Sequence, residues 1–392
     1  MNEKIKTYDV AIIGAGLAGL QCARLLSEQG AKILLVDRKV DLTKGVHTTG
    51  IFVRKTFEDF AFPPETLGKP IRDVSLYSPQ LKKIDLQSDR DEFRVGKMGL
   101  LYKLFLQDCL ENGVEFKFGT RYVSAETTDA ETVVKLEKKG IETTIKTKVL
   151  IGADGANSRV AKDLQLDENR EFIVGYEEVW RGVPLAGSPR LHCFLDAELA
   201  PGYLAWISND GEETHVGVGG YAQNFNPREA LKKFQTKIAA KIVDLSGAEL
   251  VETRGGQIPV GGILRKIANE NGLLIGDAAG AVSPLTAGGL DPALRLSKYA
   301  AEIIQRRLEA DDAQILLDYS GELFRARFIS RLWMRQIIRT FTSQKLLELG
   351  FAFLRGGIGQ RLAGHVFFGR GSFPDIEIQT EKTAGFRKGF GA

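Results

Sequence analysis

The chain has 392 residues, more than the ~250–300 at which a single hydrophobic core stops growing, so two lobes are expected. Hydrophobic residues make up 43% and charged residues 26%, an ordinary globular balance that excludes disorder, collagen and coiled coil. With 53 basic residues against 50 acidic ones the net charge is +3, too small to single out nucleic acid as a partner.

Cys22, Cys109 and Cys193 lie far apart with no Cys-x-x-Cys pair. That spacing argues against a zinc or other metal site and against a disulfide framework, and fits reduced thiols. The first residues run directly into an apolar strand without an export signal. Arg and Lys interrupt every apolar stretch of the C-terminal third before the ~20 residues a bilayer-crossing helix needs. A cytoplasmic protein is expected, soluble or associated with a membrane surface.

In chain order, a buried strand is predicted over Tyr8 to Ile13, and a second over Lys32 to Val36. Between them Leu20, Ala23, Leu25 and Leu26 give helical spacing to Leu17 to Gln29. Strand, glycine turn, helix and strand form a right-handed βαβ unit with parallel strands. From Asp41 to Gly96 proline and glycine break the pattern, and a helix follows over Leu100 to Asn112, ended by Gly113. Alternation over Val114 to Phe118, Val133 to Glu137 and Thr143 to Lys146 predicts a hairpin system leading into the apolar strand Val149 to Ala153.

Between about 170 and 265, short alternating runs such as Gly202 to Ser208 and His215 to Tyr221 predict an antiparallel lobe, with a helix over Pro227 to Ala240. A last strand, Gly272 to Ile275, precedes a helix over Pro292 to Leu308 and an arginine-dotted helical tail. Gly356 to Gly359 has no strand leading into it and reads as a loop. The fold class is α/β, a Rossmann-like nucleotide-binding domain with a parallel sheet, interleaved with a mainly antiparallel β-sheet substrate domain and followed by a C-terminal helical region. The nucleotide domain takes residues 1–75, 99–165 and 266–310, the substrate domain 76–98 and 166–265, and the helical region 311–392.

The turn Gly14-Ala-Gly-Leu-Ala-Gly19 joins the first strand to the first helix. Without side chains at Gly14, Gly16 and Gly19 the backbone can approach a pyrophosphate, to which the helix N-terminus offers free N–H groups and a partial positive charge. Asp37 ends the next strand where a ribose-binding acid is expected, with Arg38 after it. Val149-Leu-Ile-Gly-Ala-Asp-Gly-Ala-Asn-Ser-Arg159 sets Asp154, Gly155 and Arg159 just beyond a second nucleotide-domain strand. Gly272-Leu-Leu-Ile-Gly-Asp-Ala-Ala-Gly280 repeats that arrangement with Gly276 and Asp277.

These three motifs, in this order, resemble those of the FAD-dependent oxidoreductases with the para-hydroxybenzoate hydroxylase type of fold. In that superfamily the first glycine motif holds the FAD pyrophosphate. The Asp-Gly motif lies along FAD and sometimes NAD(P)H, and the Gly-Asp motif binds the ribityl chain and pyrophosphate. The resemblance implies FAD as cofactor, bound by the residues just named, with NAD(P)H as a transient electron donor or a donor protein in its place. It also implicates Lys97, which precedes the Leu100 helix where the superfamily often carries a basic residue facing the cofactor.

Ser283-Pro-Leu-Thr-Ala-Gly-Gly-Leu-Asp-Pro292 is a glycine loop feeding a helix with Pro292 near its first turn. With Pro284, Gly288, Gly289 and Leu290 in that loop, the helix N-terminus is expected to face the flavin ring and stabilise negative charge on it. Asp291, where the superfamily often has Asn, suits an N-cap.

Pro201-Gly-Tyr-Leu-Ala-Trp-Ile207, followed by Val216-Gly-Val-Gly219, is similar to the geranylgeranyl reductase group, in which a Pro, Tyr and Trp strand motif lines the cavity over the flavin. Ser208-Asn209 replaces that group's Phe-Pro ending, and Lys44-Gly-Val-His-Thr-Thr-Gly50 replaces its cysteine loop. The resemblance implies reduction of C=C bonds in an isoprenoid-like or other apolar small molecule by hydride transfer from reduced flavin. The alternative on the same scaffold is a flavin monooxygenase that hydroxylates or epoxidises through a peroxyflavin. His47, Tyr203 and Trp206 are the catalytic candidates, against the plainer readings of an exposed loop histidine and of aromatic packing in a strand.

Phe324 to Phe341 spaces arginines at 325, 327, 331, 335 and 339 among large apolar residues, so a helix there carries a basic stripe beside a hydrophobic one. It is expected to pack on the flavin domain with its charges solvated. Peripheral contact with a membrane is the alternative.

Overall fold

The computed structural model describes residues 5–128, 131–184, 187–223, 225–341 and 343–369. Strand β1 (Lys6–Ile13) enters helix α1 (Leu17–Ser27) through Gly14, whose φ of +105° suits glycine alone. There follow β2 (Ile33–Asp37), β3 (Ile51–Val53), α2 (Arg54–Asp59), β4 (Asp73–Tyr77), β5 (Lys83–Leu86) and β6 (Phe93–Val95). Next come α3 (Met98–Glu111), β7 (Glu115–Phe118), β8 (Arg121–Thr127), β9 (Thr132–Lys138), β10 (Ile141–Gly152) and α4 (Arg159–Asp163). The middle of the chain forms β11 (Phe172–Arg181), β12 (Arg190–Phe194), β13 (Ala205–Asn209), β14 (Glu213–Gly220), α5 (Pro227–Lys237) and β15 (Glu249–Pro259). It closes with β16 (Ala268–Asn269), β17 (Gly272–Leu274), α6 (Leu290–Ala310), α7 (Glu322–Thr340), α8 (Gln344–Leu354) and α9 (Gly357–Phe368).

In the first sheet β17, β10, β1, β2 and β7 lie side by side, all parallel, with β16 antiparallel at one edge. Val10 to Ile13 pair with Val149 to Gly152 on one side and Ile33 to Val36 on the other. Buried on both faces, these strands are continuous apolar runs. The core they form also takes Leu20, Leu101, Phe105, Leu294 and Ile304 from α1, α3 and α6.

The second sheet runs β15-β11-β14-β13-β12-β4-β5 and is antiparallel except where β12 meets β4. Alternating residues divide its two faces. Phe194, Ile207, Val216 and Val218 pack on Leu231 and Phe234 of α5, whereas Leu191 and Cys193 pack with Phe351 and Ala363 of α8 and α9. A two-stranded piece, β3 with β6, is separate from both sheets.

Four expectations need correction. Residues 115–118 do not join a hairpin, because α3 carries the chain back across the sheet and sets β7 parallel to β2, with Leu34 opposite Glu115. The hairpin system consists of β8, β9 and the first half of β10, whose second half continues unbroken between β1 and β17. Gly356 to Gly359 is not a loop. Gly356 caps α9, and the turn from α8 is so tight that a Cβ on Gly359 would collide with the Phe353 carbonyl.

Asp291 is not the N-cap of α6, a place taken by Gly289. Its carboxylate accepts hydrogen bonds from Thr56 Oγ1 at 2.9 Å and Arg295 Nε at 3.0 Å, while Arg295 Nη2 also reaches Asp59 at 2.7 Å. The Asp291 charge is therefore paired inside the protein.

Three of the α7 arginines turn inward rather than to water. Arg325 Nη1 donates to the Ile263 carbonyl, Arg331 Nη1 to Ser283 Oγ and Arg335 Nε to the Tyr221 hydroxyl. Arg339 is exposed and pairs with Glu171 at 3.2 Å, and the side chain of Arg327 lies outside the described residues. Ile329, Trp333 and Ile337, at i, i+4 and i+8, face solvent instead. Phe324 and Phe328 still pack into the core, but beyond them the helix is inverted relative to expectation, because the body beneath it supplies carbonyls and hydroxyls for the guanidiniums.

Asp291→Ala would take from Arg295 one of the two carboxylates it pairs with, leaving Asp59. The expected loss is about 3 kcal/mol, as for removing one partner of a buried pair, read as a lower midpoint of denaturant unfolding. An unchanged midpoint would show that the pair adds nothing to stability.

Candidate active site

Three chain segments meet at the C-terminal ends of β1, β10 and β17. A Cβ on Gly14 would collide with the Ala153 carbonyl and one on Gly19 with the Gly14 carbonyl, so both glycines serve close backbone approach. Gly16 differs, since a Cβ there meets nothing within 4 Å and would project into open space at the cavity wall. Gly16 is also the N-cap of α1 and brings no side chain to satisfy the amides of the first turn. Asp37 stands beside it. Its Oδ2 accepts from Ala15 N and its Oδ1 from Lys39 N, each at 2.7 Å, which fixes the carboxylate and leaves lone pairs for hydroxyl donors. Arg38 is exposed at the rim of the same cavity.

Asp154 plays a local part. Burial raises its carboxyl pKa against hydrogen bonds from Ser158 Oγ (2.6 Å), Arg159 N (2.7 Å) and Val160 N (3.2 Å), which tie it to the start of α4. Gly155, with φ +86° and open space where a Cβ would stand, faces the cavity, and Arg159 lies exposed at its edge. Gly276 packs close to Ala18 of α1. Asp277 lines the cavity, and burial alone pushes its carboxyl up to about 6. A carboxyl so placed calls for a ligand that donates hydrogen bonds.

The loop before α6 turns back on itself through Ser283 N to the Gly288 carbonyl (3.0 Å) and Ala287 N to the Ser283 carbonyl (2.9 Å). Ala287 is held at φ +52°, a strained conformation for a residue with a Cβ. Gly288, Gly289 and Leu290 line the cavity, while Pro284 is buried behind the loop against Gly262. Lys97 stands apart from the assembly, its Nζ paired with Glu212 at 2.8 Å away from the cavity wall.

The second sheet forms the opposite wall. Tyr203 donates its hydroxyl to the Thr286 carbonyl at 2.7 Å, which pins the loop to this sheet. Trp206 Nε1 donates to Glu177 Oε2 at 2.8 Å. The run Val216-Gly-Val-Gly219 makes room for both rings, since a Cβ on Gly217 would meet Trp206 and one on Gly219 would meet Tyr203. His47 is exposed at the rim, its pKa lowered by burial and by the charges of Lys39 and Arg38.

Sequence patterning passed over the most heavily engaged group of this wall. Glu177 is 3% exposed; its Oε2 also accepts from Thr49 Oγ1 at 2.5 Å, and its Oε1 lies 3.2 Å from His215 Nδ1 and 3.5 Å from Arg254 Nη1. Arg254 in turn donates to the Thr48 carbonyl, fastening the 44–50 segment to β15. The available signal was a charged residue in the apolar phase of β11, in step with Ile173 and Val179. On its other side, His215 Nε2 makes no hydrogen bond among the described residues, although Asp210 and Glu213 each place a carboxylate oxygen within 4.8 Å of a ring nitrogen. Asp210 already accepts from the amides of Glu212 and Glu213, and Glu213 pairs with Arg181.

Burial alone would strip His215 of its proton, but Asp210 and Glu177 outweigh it and push the pKa up to about 9. A pKa raised above the unfolded value contributes stability that is complete below about 6.5 and lost as pH rises through about 9. The loss is expected to be on the order of 3 kcal/mol, measured as a falling thermal midpoint over that window. His215→Gln should flatten the fall, and an equal slope in both proteins would refute the linkage.

The glycine motifs, the loop before α6 and the wall of Glu177, Tyr203 and Trp206 surround one cavity of about 1290 Å³, which continues past Tyr203 and Trp206 to Phe341, Leu347, Phe351, Leu354 and Val366 of the C-terminal helices. The dinucleotide end has the glycine cradle, a helix terminus whose N-cap is a glycine and whose Leu17 amide donates to the Tyr102 hydroxyl at 3.1 Å, and the acid that FAD requires. The "FAD binding domain" family matches residues 7–60 and 83–334. Among curated proteins, the chain is 28% identical over 374 residues to a digeranylgeranylglycerophospholipid reductase of Methanocaldococcus jannaschii, covering 93% of this chain and 94% of that one. Among solved structures, it resembles a geranylgeranyl bacteriochlorophyll reductase-like protein of Thermoplasma acidophilum, with TM-score 0.78, 19% identity and 88% and 91% of the two chains covered. A p-nitrophenol 4-monooxygenase of Pseudomonas putida has the same fold, with TM-score 0.66, 14% identity and 98% of each chain covered. With more than half its length matched, this chain belongs to the FAD binding domain family and is an FAD-dependent oxidoreductase.

Proposed function

We propose that this protein saturates carbon–carbon double bonds in the apolar chain of an isoprenoid lipid. The observation that carries the reading is the continuity of the cavity, from the dinucleotide turn to an apolar extension walled by α7, α8 and α9. The reductase names of its relatives support it. FAD held there would supply hydride chemistry, with NAD(P)H or a donor protein as the source of electrons.

Gly14, Gly16, Gly19, Asp37, Gly155 and Asp277 would hold the dinucleotide. Tyr203, whose hydroxyl burial keeps protonated, fixes the loop at residues 283–289. His215 holds a proton one hydrogen bond from Glu177, whose carboxylate carries the Thr49 hydroxyl at the cavity wall. Trp206 and the apolar helices exclude water from the chain of the substrate.

The cavity reaches the surface where Ile337, Phe353 and Leu362 are at once exposed and part of its wall. Around them Trp333, Leu349 and Ile358 also face solvent, which makes an apolar surface on all three C-terminal helices. A membrane interface suits this face, and a lipid chain would enter the cavity from it. No helix among the described residues is long and apolar enough to cross a membrane.

The decisive assay mixes anaerobically reduced, FAD-loaded protein with a geranylgeranyl lipid. Flavin reoxidation with a product heavier by two hydrogens per bond is expected. Flavin that stays reduced would sink the reading, and a product that gains oxygen in air would favour the monooxygenase. Separately, the protein should float with neutral as well as anionic vesicles, since the contact face is apolar. Trp333→Glu should cut that binding by about tenfold, whereas flotation that needs anionic lipid and ignores this change would remove the apolar contact.

A further inference from the structure

We infer that Arg331 and Arg335 form a binding site for an oxyanion, a phosphate ester or carboxylate, at the head of the lipid substrate. The inference rests on the lipid reading above and adds which end of that molecule the protein grips. Both side chains line the cavity from the same face of α7, four residues apart. Both are buried, Arg331 at 8% exposure and Arg335 at 1%.

Neither guanidinium has a carboxylate partner among the described residues. Arg331 donates to Ser283 Oγ at 3.0 Å, and burial lowers its pKa with no acid to oppose it. Arg335 donates from Nε to the Tyr221 hydroxyl at 3.0 Å and stacks over the rings of Tyr221 and Tyr203, 4.9 and 5.7 Å from their centres. Its Nη2 is buried without a hydrogen-bond partner among the described residues. The nearest acid in the network, Glu171, is one hydrogen bond removed. It accepts from the Tyr221 hydroxyl at 2.6 Å and is shared with Arg339.

Two like charges on adjacent turns, out of water and without a counter-ion, repel each other and pay for desolvation as well. Tyrosine faces offset part of this. A bound anion removes the rest, because a planar guanidinium presents paired N–H donors to two oxygens of a phosphate or carboxylate. The FAD phosphates do not answer to this description, since their cradle is the turn at Gly14 to Gly19 on the first sheet. Arg335 sits by Tyr203 on the opposite wall, and α7 adds Met334, Ile338 and then Phe341 along the cavity. The site therefore belongs to a second ligand, charged at one end and apolar along its length.

Calorimetric titration of the FAD-loaded protein with geranylgeranyl diphosphate, geranylgeraniol and inorganic pyrophosphate tests the site. The prenyl diphosphate is expected to bind at least about tenfold more tightly than the alcohol or pyrophosphate alone. Arg331→Met and Arg335→Met should each abolish most of that preference and leave the affinity for the alcohol unchanged, and Arg335→Lys should restore part of it. Without ligand, Arg335→Met is expected to melt at or above the wild-type midpoint, because it removes an uncompensated buried charge. A structural role would instead lower that midpoint, and this result would overturn the inference.

Equal affinity for diphosphate and alcohol would also overturn the anion site while the lipid reading stands. Failure of both chains to bind, with pyrophosphate still captured through the two arginines, would overturn the lipid reading and the head-group assignment with it.

Discussion

The molecule is organised by how closely three strand ends can approach one another. Gly14 lies against Ala153, Gly152 against Leu274, and Gly272 against the Leu150 carbonyl, each a position where a Cβ would force the sheet apart. Because β1, β10 and β17 are parallel, their C-terminal ends open on one edge, and the helix or loop that follows each strand starts there. Three motifs separated by more than a hundred residues are brought together by this packing alone. The glycine N-cap of α1, the open face of Gly155 and the burial of the Asp277 carboxyl at the cavity wall are consequences of that geometry.

The facing wall follows a second steric rule. Gly217 and Gly219 leave gaps in β14 into which Trp206 and Tyr203 lie down, so two large rings occupy the wall without closing the cavity. Each ring then uses its polar atom structurally, Trp206 on Glu177 and Tyr203 on the loop at Thr286. Tyr203 is thereby a joint between the two sheets. Its position couples the second-sheet wall of the cavity to the loop before α6.

Much of this was legible in the sequence because it depends on local periodicity. The βαβ unit, the glycine turn, the strand before Asp154 and the α6 helix are runs of contiguous residues whose chemistry declares itself. Contacts across long separations were not legible. Glu177 looks like any strand glutamate until Thr49, Trp206, His215 and Arg254 arrive from four other parts of the chain. Residues 115–118 read as a hairpin arm because alternation does not specify a partner, and only α3 returning the chain makes β7 parallel to β2. Asp291 reads as a cap because nothing near it in sequence reveals Thr56, which lies 235 residues away.

The inversion of α7 shows why a charge pattern alone misleads. A basic stripe beside an apolar one fixes the angle between the two faces and leaves open which of them meets water. Here the body offers Ser283, Tyr221 and the Ile263 carbonyl to the arginines, so the charged face turns in and Ile329, Trp333 and Ile337 are left outside. The same rotation has two effects that belong together. It carries Arg331 and Arg335 into the cavity, and it turns the outer face of the cavity wall into an apolar surface. A ligand with a charged head and a long apolar chain matches both at once, with the head beside Tyr203 and the chain running out toward Phe353 and Leu362. The proposed grip on the head group and the proposed contact with a membrane thus arise from one rotational setting of one helix.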